Sequence, residues 1–396
     1  MRVLFTTVPA TGHFHPLVPT ARALQQAGHE VAFATSGSFH PTVEASGFRA
    51  LPAGIGPEAL GLDVQEMQKR HAAMSKANPA ERIDQVAGMF VGRLSRGMAP
   101  DLLKLCASWR PDLLIRETTE FASVIVGEKL GIPHASIQVG GASFSSFGRD
   151  IFARHLDALR AEHGLPPDPE LKSLFRYLHL SFMPASYFGN SLPPTTHYLR
   201  LAVFDQSGSE GLPAWASSLG SRPVLYATLG TVFNKLIHHL GSVAAGLRDE
   251  PVDLIITVGR DMDPAQLGPQ PSHIHVERYI PQSLLLPRCD LAIMHGGYNS
   301  VMSALYVGVP MIIVPLAADQ PMNAQACAQL GVARAVDPEQ LTPEVIRQQV
   351  REMLADSSYR ERARRFQAES QALPGMERGV ALLEQLAREK QPIVQG

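Results

Sequence analysis

His295-Gly296-Gly297-Tyr298-Asn299-Ser300 (HGGYNS, residues 295–300) stands between an apolar run, Leu291–Met294, and a stretch of helical character, Val301–Tyr306. A buried strand entering two glycines and small polar side chains, with a helix beyond, is a junction of open parallel sheets. Ligands of such sheets gather at the carboxyl ends of the strands. A helix start presents unpaired N–H groups and the positive end of a dipole, which suit phosphate oxygens. Gly296 and Gly297 permit close backbone approach, while Asn299 and Ser300 offer an N-cap. The competing reading is a plain helix cap after a strand, and these six residues alone leave both open.

The same grammar recurs along the chain. Arg2–Val8 reads as a short buried strand, Thr11–Pro16 as a loop, and Leu17–Ala27 as a helix closed by Gly28. Glu30–Thr35 is a second strand, so the chain opens with a βαβ unit. Leu113–Ile115 and His134–Val139 are further strands, flanking a helix from Phe121 to Gly131. Gly/Ser-rich sequence between Asp205 and Arg222 predicts a linker. The pattern then restarts with strands at Val224–Thr228, Asp253–Val258, His275–Glu277, Leu291–Met294, Met311–Val314 and Ala333–Ala335. A helix spans Ile237–Leu247, and helices dominate from Pro343 onward, interrupted at Gly375. The expectation is an α/β protein with an N-terminal domain over 1–205, a linker over 206–222, a second domain over 223–372 and a C-terminal helix over 373–396. Both domains read as doubly wound and Rossmann-like, and no short-period repeat is present.

Bulk properties agree with that division and remove other classes. A chain of 396 residues exceeds one ordinary core. Charged residues make up 18% and the formal net charge is -2, which gives no electrostatic footprint for nucleic acid. Arg360, Arg362, Arg364 and Arg365 cluster, but on a helix they read as a solvated face. The three cysteines lack metal or disulfide spacing, which predicts a reducing cytoplasm. The N-terminus reads as a strand, not as a signal peptide, and no run approaches the ~18 apolar residues of a membrane span. Residues 57–100 are Met-rich and amphipathic (Met67, Met74, Met89, Phe90, Met98), and residues 141–190 carry aromatics such as Phe144, Phe147, Phe152, Phe175, Phe182 and Tyr187. Core is the simplest reading for most of these. An apolar ligand pocket is the alternative.

Context then sharpens the opening motif. Tyr279-Ile280-Pro281-Gln282 precedes it; Gly308-Val309-Pro310 and the run Pro315–Ala324, with Asp319-Gln320, follow. In length and order, residues 278–324 resemble the donor-binding signature of the UDP-glycosyltransferase family, in its branch of bacterial antibiotic and macrolide glycosyltransferases. Gly12-His13 with Pro16-Leu17, and Tyr226–Thr231, extend the likeness over most of the chain. Residues 57–100 and 141–200 carry it least. The resemblance implies the GT-B fold, two Rossmann-like domains facing across a cleft, with a C-terminal helix returning to the N-terminal domain. It also implies inverting sugar transfer without a bound metal or other cofactor. The implied partners are a nucleoside-diphosphate sugar and a hydrophobic small-molecule acceptor, with a homodimer as an open assembly.

The chemistry fits these residue types. An acceptor hydroxyl has a pKa well above 7 and needs a base. An imidazole at the end of the first strand could supply one, with His13 or its neighbour His15 as candidates. The family match places the base at His13. A base histidine calls for an orienting carboxylate, and the stretch Pro111-Asp112-Leu113-Leu114-Ile115-Arg116-Glu117 aligns Glu117 with the family's acid. Glu120 is the alternative. Developing charge on a diphosphate leaving group calls for N–H donors, hydroxyls and a histidine. Here those are His295, Gly297, Asn299 and Ser300, with Thr231 from another turn. By resemblance, Asp319 and Gln320 address sugar hydroxyls, Tyr279 stacks on the base, and Ile280 and Gln282 line the base edge.

One departure points to the donor. Four residues after Asn299, many uridine-type members carry a Glu that binds the ribose hydroxyls; this chain has Ser303. A thymidine nucleotide lacks the 2′-hydroxyl and does not need that acceptor, so Ser303 favours a dTDP-sugar. A UDP-sugar enzyme acting on lipid, carotenoid or flavonoid acceptors is the alternative, as is a non-catalytic relative. An epimerase or phosphorylase on the same scaffold is a further reading, but a phosphorylase calls for a pyridoxal lysine in a much longer chain.

Overall fold

The structure, a computed structural model, describes residues 1–56, 77–140, 146–189, 192–205, 211–230, 237–260 and 262–395, without the side chains of residues 146 and 147. Thr231, Met67, Met74, Phe144 and the side chain of Phe147, all singled out above, lie outside the described residues. The chain divides into two compact units. The first comprises Met1–Phe182, Gly189–Ala202 and Pro374–Gly396; the second comprises Met183–Phe188 and Val203–Leu373.

The first unit is built on seven parallel strands: β1 (Arg2–Thr6), β2 (Glu30–Thr35), β3 (Arg49–Pro52), β4 (Leu113–Glu117), β5 (His134–Ile137), β6 (Leu178–Ser181) and β7 (Thr196–Tyr198). Their order is β3-β2-β1-β4-β5-β6-β7. Central strands are apolar on both faces: Val3, Leu4 and Phe5 of β1 are fully buried, as are Leu113, Leu114 and Ile115 of β4. That follows from helices covering both sides of a parallel sheet. The helix after β1 runs Val18–Gln26 and buries Val18, Ala21 and Leu24 at helical spacing. The helix after β4, Ala122–Leu130, stops at Gly131 in the left-handed conformation.

Three strands escaped the sequence reading. β3 and β7 are short edge strands, and β3 is partly exposed, so neither shows a long apolar run. β6 is a four-residue strand with His179 in it. The expected Thr11–Pro16 loop is also corrected: Thr11–Phe14 is a helical turn and His15–Leu17 a 3-10 turn, so His13 sits on a short helix. Aromatics expected as core do pack as core. Phe121 is buried against Phe152, with Phe90 and Phe175 against the same cluster.

The second unit has six parallel strands: β8 (Val224–Thr228), β9 (Asp253–Thr257), β10 (Ile274–Glu277), β11 (Leu291–Met294), β12 (Met311–Ile313) and β13 (Ala333–Ala335). Their order is β10-β9-β8-β11-β12-β13. The helix after β11 begins at Tyr298, three residues before the expected Val301, and its N-cap is Gly297 with no side-chain cap. Asn299 and Ser300 therefore lie in the first turn and are not the cap. Arg360, from the arginine cluster, pairs with Asp290, whereas Arg364 and Arg365 are exposed. Among the described residues, no helix is long and apolar enough to cross a membrane.

Candidate functional site

In each sheet the strand order reverses at one place, between β1 and β4 in the first unit and between β8 and β11 in the second. At such a switch point neighbouring connections leave in opposite directions, and a crevice opens beyond the strand ends. Of the residues singled out from sequence, His13 and Glu117 lie at the first point and His295 at the second, while Tyr279 follows β10 and Asp319 and Gln320 follow β12.

In the first unit, His13 follows β1 and Glu117 ends β4, and these strands pair directly. His13 Nδ1 lies 3.3 Å from Glu117 Oε1. Thr119 closes the arrangement: its hydroxyl is 3.1 Å from His13 Nδ1 and lies 2.9 and 2.8 Å from the two Glu117 oxygens. The Thr119 amide also donates to Glu117. Burial by itself would raise the Glu117 carboxyl, but His13, nearby and hydrogen-bonded, and Thr119 outweigh it, so the pKa falls below the ordinary carboxylate value. A fully buried carboxylate thus stays ionised against a partly exposed imidazole.

Glu120, the alternative acid, does other work. It accepts hydrogen bonds from the hydroxyls of Thr6 (2.7 Å) and Ser123 (2.6 Å) and from the backbone at the start of the Ala122–Leu130 helix. Burial raises its pKa. Sequence reading passed over Thr119, and the available signal was a hydroxyl two residues after the acid.

In the second unit, Gly230 follows β8 and His295 follows β11. The imidazole of His295 is held between two glycines. A Cβ on Gly230 would stand 2.7 Å from its Cε1, and one on Gly297 would stand 2.6 Å from its Nε2. No other residue fits at either place without moving the ring. Burial pushes the His295 pKa down to about 4, so the ring is neutral at pH 7. Its Nδ1 has no hydrogen-bond partner among the described residues.

The neighbouring positions are tied into one frame. Gln282 Nε2 donates to Ser300 Oγ at 3.4 Å. Ser303 lies half-buried one turn beyond Asn299 on the same helix. Asn323 donates to the Gly296 carbonyl (2.8 Å) and to Asp319 Oδ2 (2.9 Å), and accepts from the Tyr187 hydroxyl (3.0 Å). Gln320 is buried, and its amide oxygen accepts from the backbone of Leu316 (2.7 Å) and Ala317 (2.9 Å). That oxygen holds the loop in shape. Ile280 is buried, so only its backbone can address a ligand edge. The Tyr279 hydroxyl donates to the Asp205 carbonyl, and the Arg260 guanidinium lies 3.7 Å from the Tyr279 ring centre. Asn323 and Arg260 were not assigned roles from sequence.

Comparison with known proteins now bears on this geometry. The family models described as erythromycin biosynthesis protein CIII-like match residues 22–185 with the N-terminal domain and 243–386 with the C-terminal domain. The chain belongs to the antibiotic glycosyltransferase family. Within this glycosyltransferase family, 4'-demethylrebeccamycin synthase of Lentzea aerocolonigenes is 29% identical, covering 97% of this chain and 99% of that protein. The 10-deoxymethynolide desosaminyltransferase of Streptomyces venezuelae is also 29% identical, covering 98% and 97%. The crystal structure of the glycosyltransferase VinC in complex with dTDP superposes with a TM-score of 0.80 at 25% identity, over 98% of this chain and 100% of that one. The fold of this glycosyltransferase is GT-B, with one parallel Rossmann-like sheet in each unit.

Proposed function

We propose that this glycosyltransferase moves a sugar, with inversion and without a metal, from a nucleoside diphosphate to a hydroxyl of a hydrophobic small-molecule natural product, with a dTDP-sugar as the favoured donor. The observation carrying the mechanism is the His13–Thr119–Glu117 cluster at the β1/β4 switch point. With Nδ1 turned to Thr119 and Glu117, Nε2 is the nitrogen that takes the acceptor proton. As that proton moves to Nε2, the acceptor oxygen bonds to the anomeric carbon. The bond from that carbon to the diphosphate oxygen breaks, and the diphosphate leaves with the electron pair. Displacement from the opposite face inverts the centre. Buried, ionised Glu117 stabilises the imidazolium that forms.

The diphosphate seat is the turn around His295 and Gly297. Backbone N–H groups at the helix start meet the leaving oxygens, and the neutral His295 ring contributes a hydrogen bond without a charge. Asp319 addresses the sugar. Thr231 belongs to the same proposal by resemblance. A dTDP donor is supported by Ser303 in place of a carboxylate and by VinC carrying dTDP. An apolar acceptor is supported by the named substrate of the 10-deoxymethynolide relative.

The test is turnover with dTDP-glucose and UDP-glucose over a panel of apolar acceptors, with and without EDTA. His13→Ala should abolish transfer, a loss of roughly 10²–10⁴-fold for a general base, and leave dTDP binding intact. Persistent transfer in that variant would overturn the mechanism. A clear preference for UDP-glucose would overturn the donor assignment, and inactivation by EDTA the metal independence.

A further inference from the structure

Arg116 immediately precedes Glu117 on β4 and is fully buried. Its guanidinium gathers the turn after the strand. Nη1 donates to the carbonyls of Glu117 (3.1 Å), Thr118 (3.0 Å) and Glu120 (3.1 Å), and Nη2 donates to Leu174 (2.6 Å). The ring of Phe175 lies 5.7 Å from the guanidinium carbon. Three of the four carbonyls belong to the segment that carries Glu117 and Thr119.

We propose that Arg116 is a positioning residue for sugar transfer: its guanidinium clamps the Glu117–Glu120 turn in the geometry that sets Glu117 and Thr119 against Nδ1 of His13. The proposal rests on His13 being the base. A buried charge is a poor device for stability alone, because a well-packed apolar residue commonly does as well or better. What a planar fork adds is direction, since its donors reach several carbonyls from one rigid plane. Burial brings the Arg116 pKa down to about 10 while Glu120 and Glu117 raise it, so it stays charged at neutral pH.

Among the described residues, the ionisable groups facing this turn come from four elements. Glu117 and Glu120 come from the turn itself and His13 from the helical turn Thr11–Phe14. His134 of β5 and His179 of β6 are both held neutral, by burial first and by Arg116 second. Arg176 also acts on His134.

The experiment uses the full chain with Arg116→Lys, which keeps the charge without the fork, and Phe175→Leu, which removes the ring beside it. The readouts are kcat, donor KM, dTDP binding and the acidic limb of kcat/KM against pH. The position of that limb does not depend on how much of the sample is folded. A nearby carboxylate favours the imidazolium, so a loosened Glu117 should move the limb to lower pH. In R116K, kcat should fall roughly ten- to a hundredfold with donor KM and dTDP binding unchanged. F175L should shift the limb the same way, by less.

An unmoved limb in both variants overturns the proposal even where activity drops. Should R116K fail to fold, an unmoved limb in F175L does so alone. His13→Ala in the same assay separates the two ideas. If it still transfers sugar, the base assignment fails. If it is inactive while the Arg116 limb stays put, only the clamp fails.

Discussion

A single hydroxyl joins the two groups of the proposed base pair. Thr119 Oγ1 lies within hydrogen-bond reach of both His13 and Glu117, so Thr119→Val removes a donor to the carboxylate and leaves the imidazole less firmly held. Transfer should fall about tenfold, and Thr119→Ser should restore it; equal rates for Val and Ser would remove the hydroxyl from the mechanism. In the other unit the sensitive positions carry no side chain. Gly297→Ala or Gly230→Ala would drive a methyl into the His295 ring, and Gly230 also has φ +73°. A ring pushed out of its slot loses its contact with the diphosphate, so affinity for dTDP should weaken about tenfold, the worth of about one hydrogen bond. Calorimetry with unchanged affinity would show that the ring has no part in the donor seat.

Strands β5 and β6 make the fold sensitive to acid. His134 and His179 sit on them fully buried, with pKa values brought down to about 3. His179 is bonded to Ser136 (2.8 Å) and Gln138 (2.9 Å) as a neutral ring. In the unfolded chain both histidines take protons near pH 6.5, and the folded state does not until about pH 3. Their depressed pKa values therefore supply stability that is present above pH 6.5 and is lost as pH falls toward 3. Each contributes a slope of roughly 1.4 kcal/mol per pH unit within that window. Urea unfolding of the first unit should give a lower midpoint at pH 5 than at pH 7, and His179→Gln should flatten the difference. A midpoint independent of pH would contradict this account.

For the molecule as a whole, the chain's end belongs with its beginning. The last helix, Met376–Glu389, buries Leu382, Leu383 and Leu386 completely within the first unit. The ring of His29 reaches Glu384 on that helix at 2.9 Å. Leu386→Ala should destabilise the first unit by about 2–5 kcal/mol. Thermal unfolding should then show one transition lowered, while dTDP raises the other, because a ligand stabilises only the unit that binds it. A single transition that shifts as one under both changes would contradict the assignment of this helix.

Much of this was written in the local sequence. Apolar runs bounded by Gly and Pro gave Glu30–Thr35, Val224–Thr228 and Leu291–Met294 with their observed bounds, because strands inside a parallel sheet are buried on both faces and need no partner to be seen. β3 and β7 were missed because each is short and carries no apolar run: Arg49–Pro52 is partly exposed and Thr196–Tyr198 is polar. HGGYNS, with its neighbours, pointed to a ligand seat, since glycines beside a strand end and a helix start are local features.

Tertiary structure alone decided which side chains meet. Glu117 was preferred over Glu120 in sequence only by resemblance, and the pairing of β1 with β4 is what turns one to His13 and the other to the helix start. Arg116 had no role in the sequence reading, and only folding brings Leu174 and the turn carbonyls around it. Gly230 and Gly297 lie far apart in the chain and become one slot only when β8 and β11 lie side by side. Local chemistry is set by neighbours in the chain, whereas contact between distant residues is set by strand order, and strand order exists only in the folded sheet.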